Sequence, residues 1–285
     1  LVDVSPATLS DKFFSFDGAS DTWKNESPTS LMTIARGYII RGPQHFSTTV
    51  PSLYEAVFSG IPNNGIYDFP VGSDQFNLIG NPYPSAIDAD LFMTDINNAS
   101  SIDGALYFWT HNTPIQQSGS EYIYTADDYA TYNRTGGTGT AKGAALSGGQ
   151  VPSGKIASGQ SFFVGTASGI PANSRFQFKN SMRIIDQNTQ FFKQASTKKA
   201  TAIEKNRVWL NLTNSGGAFR QLLVGYITGA TNDWDNLYDG PTFDGQEFVD
   251  FYSTNQGKNL TIQGRALPFV DTDVVPLGYR STIAG

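Results

Sequence analysis

A chain of 285 residues with a net charge of −6 and a pI near 4.9 offers no basic stripe to neutralise phosphates, which argues against a nucleic-acid partner. It has no cysteine, so disulfides and thiolate metal sites are excluded, and no apolar run approaches the roughly 20 residues of a membrane-spanning helix. Charged residues make up only 15% and aromatics 13%, with 29 glycines, the profile of many short strands joined by Gly, Pro and Asn turns.

In chain order, Lys12–Asp17 reads as a short aromatic strand and Asp17–Asp21 as a turn. Leu31–Arg41 is a second strand region, with Gly37 inside it. Ser52–Ser59 alternates, with Leu53, Glu55 and Val57 on one face and Tyr54, Ala56 and Phe58 on the other, and is expected to be a third. Ile61-Pro62-Asn63-Asn64-Gly65 is a turn by composition. Asp74–Ile79 leads into Gly80-Asn81-Pro82-Tyr83-Pro84-Ser85, where two prolines fix φ and hold Asn81 and Tyr83 extended. A short helix should follow, with Ser85 as its N-cap, Asp88 three residues on, and an Ile87/Leu91 stripe beside Phe92. Beyond it, Ile102–His111 is the strongest strand. Glu121–Tyr124 is a short one, and Ala126–Tyr132 a helical turn. Gly136–Gly154 should be an exposed loop. Strands follow at Gln160–Gly165 and Arg175–Lys179. Gln187–Lys205 loses strand character. Further strands lie at 207–212, 220–228, 247–253, 260–263 and 274–279, and Val208, Leu210 and Leu212 of the first share one face.

The chain also repeats itself. Ile34-Ala35-Arg36-Gly37 matches Ile156-Ala157-Ser158-Gly159, each between strand-like runs. We therefore expect a β-sandwich over 1–190 built from two related units, about 1–76 and 77–190. A linker over 191–205 and a second β region over 206–285 complete the expected plan. If the order holds, Gly37 and Gly159 do the same job, a bulge or a close backbone approach.

The run NLIGNPYPSAIDADLF (77–92) resembles the signature of a region common in large secreted and surface proteins of Flavobacterium-like Bacteroidota. In those proteins the region lies just upstream of the C-terminal sorting domain read by the type IX secretion system. Segments 37–65, 104–113, 152–164, 180–184, 206–214, 220–232 and 251–285 resemble it in the same order, so the likeness covers nearly the whole chain. The resemblance implies export by that system, exposure at the cell surface or outer-membrane exterior, and contact with outer-membrane, secretion or gliding components. It implies no agreed activity. The sorting domain itself is not in this sequence, and the chain reads as a fragment or processed piece whose last β region is incomplete at its C-terminus.

Candidate chemistry is sparse. The two histidines, His45 and His111, lie in no HExxH or HxH context, and no GxSxG elbow occurs. The 136–143 stretch lacks the order of a phosphate loop. Asn232, Asp233, Asp235 and Asp239 offer the hard oxygens that calcium prefers, but without EF-hand spacing, and read first as an Asx-rich turn between strands. Trp109, Tyr122, Tyr124, Tyr129 and Tyr132, with Trp23, are either core or a sugar-stacking platform, whose best members are Trp109, Tyr124 and Tyr132. Asp127-Asp128 and Asp88/Asp90 are carboxylate pairs that capping explains as well as catalysis does.

The expectation is therefore an all-β protein of antiparallel, jelly-roll-like sandwiches with one short helix after the GNPYPS turn. It should have no catalytic residues and no cofactor beyond an optional calcium ion. Its expected role is that of a structural or adhesive module of a secreted cell-surface protein, with the 136–154 loop and the 232–240 turn as contact elements. The alternative is a carbohydrate-binding module that uses the aromatic platform, with or without calcium. Its partners would be outer-membrane or type IX components, or cell-surface glycans, and not nucleic acid.

Overall fold

The structure is a computed structural model that describes residues 1–47, 50, 52, 54–110, 116–118, 121–123, 128–140, 151–186, 188, 205–214, 218–243 and 249–282. Its first strands are β1 (Phe13–Asp17), β2 (Thr22–Asn25), β3 (Ile39–Ile40), β4 (Tyr67–Pro70), β5 (Phe76–Gly80) and β6 (Ile87–Asp88), followed by the helix α1 (Ala89–Met93). Next come β7 (Ile102–Trp109), β8 (Gln116–Ser118), β9 (Glu121–Ile123), β10 (Tyr129–Tyr132), β11 (Gly137–Thr138), β12 (Lys155–Ile156), β13 (Ser161–Thr166) and β14 (Arg175–Phe178). The last are β15 (Lys205–Thr213), β16 (Phe219–Ile227), β17 (Gly240–Pro241), β18 (Val249–Asn255), β19 (Lys258–Arg265) and β20 (Leu277–Ser281). Among the described residues the chain is nearly all β, its strand pairs antiparallel except one, with a short α-helix after the GNPYPS turn. No helix among the described residues is long and apolar enough to cross a membrane.

Two compact units are interleaved in sequence: residues 1–102 with 155–191, and residues 103–154 with 192–285. The sequence pointed to a division at 191–205. By their contacts, residues 103–154 group with the C-terminal part of the chain.

In the first unit β1 pairs with β2 and β3, β4 with β14, β5 with β13, and β6 with β12, all antiparallel. Its core is aromatic. Phe92 of α1 lies 5.0–5.9 Å from the rings of Phe162, Phe176 and Phe178, and all four are fully buried. Edge and tilted aromatic contacts of this kind add to the area term. The first similar segment, through Arg36 and Gly37, and the strand that follows the second, β13, both bond to β5. The Gly37 N–H donates to the Leu78 carbonyl at 3.0 Å, while Phe163 pairs with Leu78 from β13. A Cβ on Gly37 would sit 2.6 Å from Leu78 Cγ, so this glycine permits close approach. Gly159 instead has φ +70 and serves a tight turn.

In the second unit β7, β10 and β11 form an antiparallel ladder. A larger sheet runs β15-β16-β19-β18-β20, with β17 also on β19. Within it β16 and β19 run parallel, and the other pairs are antiparallel. Leu222, Leu223, Ile227, Leu260 and Ile262 are fully buried in its central strands. β15 is an edge strand, which leaves Val208 exposed and Leu210 and Leu212 half-buried.

Several local expectations change. Tyr54–Phe58 lies in no ladder and is exposed, and Leu53 lies outside the described residues. Alternation assigns faces, but a strand also needs a hydrogen-bonded neighbour. Of 31–41, only Ile39–Ile40 and an isolated bridge between Arg36 and Ile79 join a ladder. Tyr129–Tyr132 is a strand rather than a helical turn, because β7 is there to pair with it. The start of the expected loop, 136–138, is buried and contributes β11; 141–150 lies outside the described residues. α1 is capped by Asp88, not Ser85: Asp88 Oδ1 accepts the N–H groups of Asp90 and Leu91. Ser85 Oγ instead accepts Arg183 Nε. The buried face is Ala89, Phe92 and Met93, and Leu91 is 47% exposed.

Candidate functional site

The GNPYPS corner is held by one carboxamide. With prolines at 82 and 84, few backbone donors remain to close the turn, and Asn81 closes it instead. Its Nδ2 reaches the carbonyls of Ser85, Ile156 and Ala157 at 2.9, 3.1 and 3.0 Å. Its Oδ1 accepts the Tyr83 N–H at 3.0 Å. The Tyr83 hydroxyl donates to the Gly65 carbonyl at 2.7 Å, and the Arg183 guanidinium lies over its ring. Burial, with a smaller contribution from Tyr67, pushes the Tyr83 hydroxyl up to about 12. It is a hydrogen-bond donor at any physiological pH.

Of the expected platform, Trp109 and Tyr132 lie among the described residues, and they do not share a face. Trp109 pairs across the ladder with Tyr129, and Tyr132 with Leu106. Side chains alternate along a strand, so Trp109 and Tyr132 point to opposite faces of the same ladder. Tyr132 is buried and Trp109 half-buried. Tyr124 and the side chain of Tyr122 lie outside the described residues. Trp23 of β2 is 44% exposed and packs edge-on against Phe16 and Phe163.

Tyr129 joins a different group. Its ring and that of Tyr107 lie 4.7 and 5.0 Å from Phe243. Burial raises both hydroxyls, helped by Asp128 and Asp103 respectively. Beside them is a pocket of about 30 Å³ lined by Tyr129, Thr131, Thr140, Arg220, Phe243 and Asp250, among others. A pocket of this size admits a water molecule or two and not a sugar ring. Its threonines at 131, 138 and 140 went unremarked in the sequence, although polar alternation in a Gly-rich run was the available signal.

The acidic turn is bonded internally. Asp239 is fully buried: its Oδ2 accepts the Asp235 N–H at 2.9 Å and its Oδ1 the Gly264 N–H at 2.8 Å. Asp235 Oδ2 accepts the Thr231 N–H, Asp233 Oδ1 accepts Gln256 Nε2, and Asn232 Oδ1 accepts the Ala266 N–H. The oxygens counted as calcium ligands thus close an Asx-type turn onto β19 and the segment after it. Among the described residues no group of three or more acidic or histidine side chains gathers to hold a metal ion. Desolvation first, and then the Asp235 charge, push the Asp239 carboxyl up to about 7, against the two N–H bonds that favour its anion.

Asp88 caps α1 and meets Lys155 Nζ at 2.6 Å through its other oxygen. Asp128 is buried, whereas Asp127 and His111 lie outside the described residues. His45 stacks obliquely on Phe46. Sequence reasoning overlooked a second bracing amide. Asn98, fully buried, donates to the Phe92 and Gln177 carbonyls and accepts the Gln177 N–H.

A family model described as a domain of unknown function (DUF8693) matches residues 1–285, and the chain belongs to that family. No curated protein and no solved structure matches the chain.

Proposed function

We propose that this DUF8693 domain is a non-enzymatic structural or adhesive module of a secreted bacterial cell-surface protein. It would be exported by the type IX system and touch outer-membrane, secretion or gliding components. One observation carries the reading: the polar side chains that looked most like chemistry are engaged in the fold's own bonding. Asp88 caps a helix, Asp235 and Asp239 close a turn, Asn81 ties a proline corner, and Tyr132 is buried. A module that spaces or presents other regions needs stiff corners of this kind.

The contact surface in this reading is apolar. Leu31 and Ile61 are 92% and 96% exposed, and Val57, Phe58 and Ile66 are exposed in the same unit. Scattered exposed apolar residues are ordinary, but this unit has many of them in segments that join no ladder.

The test is to purify the native protein from its cell surface in mild detergent and identify what comes with it. Outer-membrane or secretion components that remain bound, and are lost on Leu31→Ser with Ile61→Ser, are the expected outcome. A free chain at native abundance would overturn the assignment of partners.

A further inference from the structure

Asn64-Gly65 is the one Asn-Gly dipeptide in the sequence. A glycine on the C-terminal side leaves the backbone nitrogen unhindered, which is the chemical requirement for imide formation at asparagine. Here the dipeptide is not a free loop tip. Asn64 is exposed, and Gly65 has φ +109. Both reacting groups are held by the side chain of Asn180. Asn180 Nδ2 donates to Asn64 Oδ1 at 2.8 Å, and the Gly65 N–H donates to Asn180 Oδ1 at 3.3 Å. Only an oxygen can accept a backbone N–H, so the second bond fixes which way the Asn180 amide points. Arg183 Nη1, at 3.4 Å from the same Oδ1, agrees with that orientation.

We infer that Asn64-Gly65 is a self-modification site, in which Asn180 presents the electrophile and the nucleophile to each other. The Gly65 nitrogen attacks Asn64 Cγ and a C–N bond forms. The Cγ–NH2 bond breaks, and ammonia leaves with the Gly65 proton. Water then opens the five-membered imide at either carbonyl, giving aspartate or isoaspartate at 64. No oxidant or reductant is required. Asn180 acts at both ends of the first step. Its N–H polarises the Asn64 carbonyl and binds the oxygen as charge develops there, and its oxygen accepts the proton-bearing nitrogen.

The consequence reaches the GNPYPS corner. Asn63 Nδ2 donates to the Pro82 carbonyl at 2.8 Å, and the Tyr83 hydroxyl to the Gly65 carbonyl at 2.7 Å. The Tyr67 hydroxyl accepts the Asn64 N–H. Isoaspartate inserts a methylene into the backbone between these anchors, so modification loosens the tie between the 61–67 turn and the corner.

The experiment incubates the folded chain at mildly alkaline pH and follows each asparagine by peptide mapping, with fragmentation that separates aspartate from isoaspartate. A synthetic peptide spanning Ile61 to Tyr67 is the reference. Conversion confined to Asn64, no slower than in the peptide, is expected. Asn180→Ala should slow it roughly fivefold, the worth of one such hydrogen bond. Asn180→Asp keeps the acceptor and removes the donor, and should slow it at least as much; it serves if the alanine variant fails to fold. Conversion slower in the folded chain than in the peptide, or faster in either variant, would overturn the inference and make Asn180 a restraint.

Discussion

Two turns of this molecule that side chains close use opposite chemistry for the same task. The corner at 80–85 is closed by Asn81, a neutral amide that both donates and accepts. The turn at 231–240 is closed by Asp239, a carboxylate that can only accept while it is ionised. Both side chains are buried. A neutral amide is indifferent to pH. A buried carboxylate ties the stability of its turn to proton activity. The difference has a simple origin: the groups facing Asn81 Nδ2 are carbonyl oxygens, whereas those facing the Asp239 oxygens are backbone N–H groups.

The sharpest break in the comparison is Asn81→Asp, which turns the first turn into the second kind. It sets a carboxylate against three carbonyl oxygens at 2.9–3.1 Å. We expect a loss of about 3–5 kcal/mol at neutral pH, as for a buried charge left without a partner. Part of it should return on acidification, when the new group is neutral and can donate. Urea unfolding followed by tryptophan fluorescence at two pH values measures both numbers. A loss below about 1 kcal/mol, the ordinary worth of a single hydrogen bond, would mean that the prolines alone hold the corner.

The second prediction concerns Asp239 itself. Its carboxyl is raised from 3.8 to about 7, with burial as the main cause. Between those values the folded state holds a proton that the unfolded chain has released. The contribution of Asp239 to stability is therefore greatest below pH 4, falls as pH rises towards 7, and is flat beyond. The full shift corresponds to roughly 4 kcal/mol at most. Asp239→Asn should remove this slope, at a cost of about 1–2 kcal/mol near pH 4 for the lost acceptor at Asp235 N–H. An unchanged slope in the variant would assign the pH dependence to other groups.

Much of this organisation could be read from the sequence, and the failures have physical reasons. Phe13–Asp17, Ile102–Trp109 and Phe219–Ile227 were legible because aromatic and β-branched residues cluster between turn signals. β2, with the sequence Thr-Trp-Lys-Asn, was missed because all four residues are exposed and carry no apolar alternation. β4 was missed because it ends in a proline. Ser52–Ser59 failed in the other direction, since its alternation lacks a ladder partner. The interleaving of the two units was invisible, because nothing local states which distant segment a strand will meet. At the candidate sites the residue types were legible and their partners were not. Asn232 to Asp239 looked like ligands until the backbone N–H groups around them were placed.

The smallest effect tests a charged residue where charge costs little. Asp88 caps α1 with one oxygen and meets Lys155 with the other, and both side chains are 21–28% exposed. Asp88→Ala removes the cap and should cost about 1 kcal/mol. Asp88→Asn keeps an N-cap acceptor and gives up only the ion pair, which at this exposure is worth a few tenths of a kcal/mol. The ratio of the two losses, read from urea midpoints, separates hydrogen bonding from charge in a turn that is neither neutral like Asn81 nor buried like Asp239. Equal losses would place the worth of Asp88 in its charge. The amide-for-carboxylate exchange would then be costly at the surface as well, and burial would no longer be what distinguishes the acidic turn from the corner.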